Sequence, residues 1–418
     1  MNSKHEISEL KRRPGAPPEA LRSTSTLEAS FDWPLEAATL VAQAYVRLFE
    51  DLMSPKSGRR SASSGSSLPW TTPNAVALEL PSMRLRDFST GTVGSATLIC
   101  APYALHGATI ADFAPDHSVV ETLCQSGLSR VFVTDWRSAT PETRFFTIDS
   151  YLADLNVAVD QLGPPVDLIG LCQGGWLALV YAARFPKKVR RLVLVGAPID
   201  ITAAESQLSR FVAGVPVSLF DEFVRLGEGI VDGERTLKAW GLSDDSSEAE
   251  TVLQNPPNTD PVRRRELTDR YRQWYRETVN LPGVFYLQVV KWLFRENQIA
   301  EGRFVALGQR VDLMSIRAPI FFLAAGNDEI VPAGQLFATA RLVGTPAEQL
   351  VKMTEPCGHL SLFLGAVVLD EAWRNIARWL DHDLNEPQIG SPRAVVSGDE
   401  KFPNLKTEKV FEEGNPPK

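Results

Sequence analysis

Short apolar runs bounded by turn residues recur through the middle of this chain. Ala96–Ala101, Arg130–Thr134, Val166–Leu171 and Arg191–Val195 are rich in β-branched residues and leucine, as strands buried on both faces are. Ala318–Ala325 and Glu348–Met353 read the same way. Trp176–Ala183 is apolar on every side, the mark of an interior helix. From about residue 74 to 200 strands alternate with helices, which predicts a mainly parallel sheet with helices on both faces. Residues 201–310 break that alternation. Phe220–Leu226, Arg263–Val279 and Val284–Phe294 are helical in period, and no strong strand stands among them. They predict a helical cap inserted over one edge of the sheet, mobile enough to act as a lid and turning Phe285, Tyr286 and Trp292 inward. The sheet pattern resumes at Pro319 and closes with a helix over Asp370–Trp379.

The ends read differently. Residues 1–30 are polar and proline-bearing, and residues 385–418 are proline-rich and polar; both are expected to be disordered tails. In 31–73 a helical stripe (Ala38, Val41, Tyr45, Leu48, Phe49, Leu52) precedes a Ser/Gly-rich linker, Ser54–Ser67. The core is then expected in two parts, 74–200 and 311–384, around the 201–310 cap. Among 418 residues the net charge is -8, which argues against a nucleic-acid partner. No run approaches the length of an apolar membrane span, and the N-terminus lacks the apolar stretch of a secretory signal. Four cysteines without paired or metal-like spacing point to a reducing cytoplasm and to no metal site. The basic run Lys187–Arg191 reads as a solvated turn at a helix C-terminus.

Candidate chemistry begins at Gly170-Leu171-Cys172-Gln173-Gly174-Gly175. A buried strand precedes it and a buried helix follows, so Cys172 stands where the nucleophile elbow of α/β-hydrolases places its nucleophile. The strained turn demands small neighbours, and Gly170 and Gly174 supply them. The helix start offers free N–H groups and a positive dipole end to a thiolate or a developing oxyanion. An acid and a histidine follow in hydrolase order, each just past a predicted strand: Asp328 in Gly326-Asn327-Asp328, and His359 in Cys357-Gly358-His359. Cys357 has no elbow around it and reads as a small loop residue. Trp136, after the strand beginning at Arg130, and Trp176, one turn into the elbow helix, are candidates for the substrate pocket, with plain core packing as the alternative. His106-Gly107 lies on a loop that can supply an oxyanion N–H.

The box at Gly170–Gly175 resembles that of polyhydroxyalkanoate synthases, above all the shorter catalytic subunits that work with a partner subunit. The likeness extends through Val131–Arg137, Ile148–Tyr151, Leu281-Pro282-Gly283, Arg310–Leu313, Asn327-Asp328 with Val331-Pro332, and Gly358-His359. It spans roughly residues 95 to 380, the size of a domain. The resemblance implies an α/β-hydrolase fold with Cys172, Asp328 and His359 as the catalytic triad. It implies that a 3-hydroxyacyl-CoA acylates the thiolate and that a growing polyester accepts the acyl group. The backbone N–H groups of Gln173 and of Tyr103 or Ala104 would hold the oxyanion. No prosthetic group is needed; a synthase partner subunit, a polyester granule surface and a homodimer are the partners left open. Pro102–Thr109 and Gly196–Asp200 look more like the intracellular polyhydroxyalkanoate depolymerases, which break the polyester with the same triad. Alternatives are therefore a depolymerase or thioesterase, or a non-catalytic relative that binds a granule or partner.

Overall fold

A computed structural model describes residues 68–239 and 248–382. The stripe at 38–52, the Ser54–Ser67 linker and both tails lie outside the described residues. Eight strands form one sheet: β1 (Ala75–Glu79), β2 (Met83–Asp87), β3 (Thr97–Cys100), β4 (Val131–Trp136), β5 (Val166–Leu171), β6 (Val189–Val195), β7 (Ile320–Ala325) and β8 (Leu350–Glu355). Their order is β1-β2-β4-β3-β5-β6-β7-β8. Each neighbouring pair from β4 to β8 is parallel, and β2 runs antiparallel to both β1 and β4. This is the mainly parallel sheet that the apolar runs imply. Its six parallel strands coincide with the six expected ones to within two residues at every end.

The edge pair β1 and β2 was not expected, although Met83-Arg84-Leu85-Arg86 alternates cleanly. Met83 and Leu85 are buried while Arg84 and Arg86 are not, which is the half-buried pattern of an edge strand. Two arginines in a five-residue segment hide it from any search for apolar runs.

Helix Ile148–Leu162 packs on the sheet through Ile148, Tyr151, Leu152, Leu155, Ala158, Val159 and Leu162, the spacing of a single helical face. Thr147 and Ser150 form its capping box, and Gly163 ends it at a φ of 78°. Helix Gln173–Arg184 is buried from Gly174 to Ala183, so it crosses the interior. The last helical stretch, Ala366–Asp381, includes one π-type turn at Leu369–Trp373. Only the first part of the Lys187–Arg191 cluster is a solvated turn, with Lys187 exposed. Arg190 pairs with the buried Asp167, and the buried Arg191 donates to the carbonyls of Leu380 and His382. These two arginines close the end of the last helix, where unpaired carbonyls favour cations.

Between β6 and β7 lie the helices Gln207–Gly214, Val217–Leu226, Gly233–Ala239, Glu248–Leu253 and Pro261–Arg276, then Gly283–Gln288 running into a π-type turn at Val289–Arg295. Two short ribbons interrupt them, Ile230–Val231 with Leu281–Pro282 and Val305–Ala306 with Gln309–Arg310. Strand pairs of two residues carry no periodicity, so no pattern could announce them. The expected inward aromatics turn out to be packing groups. Phe285 lies against Tyr103, Tyr151 and Trp176, Tyr286 against Phe220, and Trp292 against Phe304.

Candidate active site

Sheet register sets the site. Leu171 of β5 is level with Val195 of β6, which is level with Leu323 of β7, and Ala325 at the end of β7 is level with Glu355 of β8. The loops that follow therefore leave from one edge: Cys172 after β5, Gly326–Asp328 after β7, and Pro356–His359 after β8. Backbone bonds lock them there, from Cys172 N–H to Val195 O (2.8 Å), Gly326 N–H to Glu355 O (2.7 Å) and Asn327 N–H to Cys357 O (3.0 Å).

Cys172 sits at φ 48° and ψ -118°, a strained conformation for a residue with a side chain. The glycines around it show what maintains it. A Cβ on Gly170 would stand 2.4 Å from Gly175 Cα, one on Gly174 would stand 2.1 Å from Cys100 O, and one on Gly175 would stand 2.3 Å from Ala197 Cβ. The helix start is thus pressed against the ends of β3 and β6. Gly196, at φ 53°, leaves room for the histidine, since a Cβ there would meet His359 Cε1 at 3.1 Å. A glycine immediately after a buried strand is a sequence signal for such close approach.

His359 Nε2 lies 3.2 Å from Cys172 Sγ, and His359 Nδ1 lies 2.6 Å from Asp328 Oδ2. The other carboxylate oxygen accepts the N–H groups of Ile330 (2.9 Å) and Val331 (2.8 Å), which fixes its plane. His359 and Asp328 are buried, whereas Cys172 is only half-buried. Burial alone would lower the imidazole pKa; the facing Cys172 sulfur and the Asp328 carboxylate outweigh it and raise the value from 6.5 to about 10. The imidazolium is therefore the favoured form in this setting, the condition for an imidazolium–thiolate pair.

The structure brings together Cys172, Asp328 and His359, and among the described residues no other acid pairs with the histidine. Asp200 is engaged by Arg341, Asn297 and Thr202, and Asp135 by Arg86. Cys357 is buried, and burial with the nearby Glu355 and Asp328 carboxylates pushes its thiol up to about 12. That suits an inert loop residue. Among the described residues no group of His, Cys, Asp and Glu side chains could hold a metal ion.

The loop after β3 runs beside the helix start, because Gly174 abuts Cys100 O and Ala101 O. Tyr103 and Ala104 follow in this loop. Ala101 N–H donates to Thr134 Oγ1 (3.0 Å), and the Tyr103 hydroxyl reaches the carbonyls of Arg137 (3.0 Å) and Asn280 (3.2 Å). Val279 N–H donates to Leu105 O (2.9 Å), so the segment from 278 to 280 is tied to this loop. His106 stacks on Trp274 at 4.4 Å, and burial lowers its pKa to about 4 against the pull of the Glu277 carbonyl. It is a neutral packing group at neutral pH.

The two tryptophans expected at the pocket sit in the packed interior. Trp136 is 3% exposed and donates to Ala101 O (2.9 Å), bracing the loop after β3. Trp176 is 1% exposed and donates to Gln173 Oε1 (2.7 Å). Apolar rings beside an elbow pack on the strands as readily as they line a cavity, and their sequence could not separate the two.

A family model described as alpha/beta hydrolase fold matches residues 126–366, more than half of the chain. The chain belongs to this family. It is 26% identical over 289 residues to the poly(3-hydroxyalkanoate) polymerase subunit PhaC of Allochromatium vinosum, covering 65% of this chain and 76% of that protein. To the protein of the same name from Haloferax mediterranei it is 25% identical, covering 74% of this chain and 63% of the other. A monoacylglycerol lipase structure from Paleococcus ferrophilus matches 71% of this α/β-hydrolase chain and 98% of its own, at 18% identity and a TM-score of 0.49. No helix among the described residues is long and apolar enough to cross a membrane.

Proposed function

We propose that this α/β-hydrolase is an acyltransferase of the polyhydroxyalkanoate synthase kind, with Cys172 carrying the acyl group, His359 moving the proton and Asp328 holding His359. The observation that carries this reading is the unbroken contact chain from Cys172 Sγ through the imidazole to the Asp328 carboxylate, at the head of an elbow. The names of the relatives supply the substrate class.

In acylation, the Cys172 proton passes to His359 Nε2 and the sulfur attacks the carbonyl of a 3-hydroxyacyl-CoA. The N–H groups of Gln173 and of Tyr103 or Ala104 hold the tetrahedral oxyanion; losing one such donor costs about 3 kcal/mol. Collapse expels the CoA sulfur, which takes the proton from His359. In transfer, His359 removes the proton from a chain-end hydroxyl, whose oxygen attacks the Cys172 thioester. The Cys172 sulfur leaves and recovers the proton. The thioester intermediate keeps much of the donor's reactivity, so a cysteine suits transfer between thioester and ester. A synthase partner subunit or a cytoplasmic polyester granule is the setting this chemistry calls for.

Water in place of the hydroxyl would make the same site a depolymerase or thioesterase. Incubation with 3-hydroxybutyryl-CoA, and separately with amorphous polyester granules, distinguishes the readings. Synthesis requires CoA release matched by insoluble polyester, with granules left intact. Free 3-hydroxybutyrate as the sole product, or granule breakdown, would make the protein a hydrolase; no turnover of either would leave a binding relative.

A further inference from the structure

From Val166 to Ala183 every residue is buried except two neighbours, Cys172 and Gln173. The opening that admits substrate to the thiol is therefore also the opening onto the Gln173 side chain. That side chain is not free to rotate. Trp176, one helical turn on, donates its indole N–H to Gln173 Oε1 at 2.7 Å. An indole N–H only donates, so the atom facing it is the amide oxygen, and the NH2 group with its two donors must face the other way. Trp176 is 1% exposed and stacks on Phe285 of the cap at 6.5 Å, and Phe285 in turn lies 5.3 Å from Tyr103. The Gln173–Trp176 pair thus lies on the side of Cys172 where the loop after β3 and the cap meet. The packing of this side holds the indole, the indole holds the amide oxygen, and the amide nitrogen faces away from the indole.

We propose that the Gln173 side-chain NH2 is a specificity group that donates a hydrogen bond to the 3-oxygen of the acyl chain bound at Cys172, with Trp176 as its positioning residue. This rests on the acyl-transfer reading above. The backbone N–H of Gln173 already serves the carbonyl oxygen at the helix start. On this proposal the side-chain NH2 meets the substituent on the third carbon of the acyl group. A site with a fixed donor there favours an oxygenated chain over its plain alkyl counterpart, because an unmet donor is costly to cover.

The test compares single-turnover acylation of Cys172 by 3-hydroxybutyryl-CoA and by butyryl-CoA, followed through CoA release. The wild-type protein should prefer the hydroxylated thioester. Gln173→Met, similar in length but without a donor, should slow the hydroxylated thioester about tenfold more than it slows butyryl-CoA. Trp176→Phe, which keeps a ring and loses the N–H, should erode the same preference, a result that mere packing would not produce. Equal slowing of both thioesters, or no change in either, overturns the proposal. A wild-type protein acylated by neither thioester would instead overturn the acyl-transfer reading, and this proposal with it.

Discussion

Replacing Cys172 with serine is expected to reduce acyl transfer on the order of 10³-fold, with the fold intact. The fold half follows from the packing. Cys172 is half-buried and its conformation is enforced by the glycines around it, so a slightly smaller side chain at the same turn neither clashes nor opens a core cavity. The activity half follows from proton chemistry. His359 is held in a setting that favours the imidazolium, and a serine hydroxyl surrenders its proton far less readily than a thiol. Cys172→Ala should remove the remainder, on the order of 10⁴-fold or more in total. Steady-state CoA release by the two variants, alongside their unfolding curves, checks both halves. A serine variant as active as wild type would mean that the thiol is not the nucleophile.

Asp328→Asn is expected to lower kcat on the order of 10⁴-fold and to change how stability depends on pH. In the wild-type protein the His359 pKa of about 10 stands above its ordinary 6.5, with burial opposing and the Cys172 and Asp328 charges prevailing. The folded state therefore binds more protons at this site than the unfolded chain between those two values. The stabilisation from His359 is complete below pH 6.5, fades as pH rises, and is gone above about 10. An asparagine keeps a hydrogen-bonding oxygen and removes the charge. Burial then meets less opposition, the His359 value falls, and the loss of stability with rising pH shrinks. Denaturation midpoints measured from pH 6 to pH 10 read this directly. Parallel curves for the two proteins would show that the Asp328 carboxylate does not govern the histidine.

Much of this arrangement is legible in the chain because burial and chemistry coincide there. A strand buried on both faces has to be apolar, so β3 to β7 stand out as unbroken runs. Gly170 and Gly174 flank Cys172 because side chains would collide at both, which makes the elbow visible as spelling. Asp328 and His359 were found by chain order, each following a strand at the same edge. What stayed hidden depends on partners distant in sequence. Trp136 and Trp176 look alike whether they face a pocket or the core, and only the neighbouring Tyr151, Phe285 and Phe304 place them inside. The cap shows the same limit. Its helices announced themselves by period, but the bond from Val279 to Leu105 and the turn of Tyr103 toward Asn280 link residues more than a hundred positions apart. Those ties join the segment from 278 to 280 to the loop after β3.

The central claim is that Cys172 becomes covalently acylated, and peptide mass mapping after brief exposure to 3-hydroxybutyryl-CoA tests it most directly. The account predicts one added 3-hydroxybutyryl group on the peptide containing Cys172, absent from Cys172→Ala. The same mass on the peptide containing Cys357, persisting in Cys172→Ala, would contradict it.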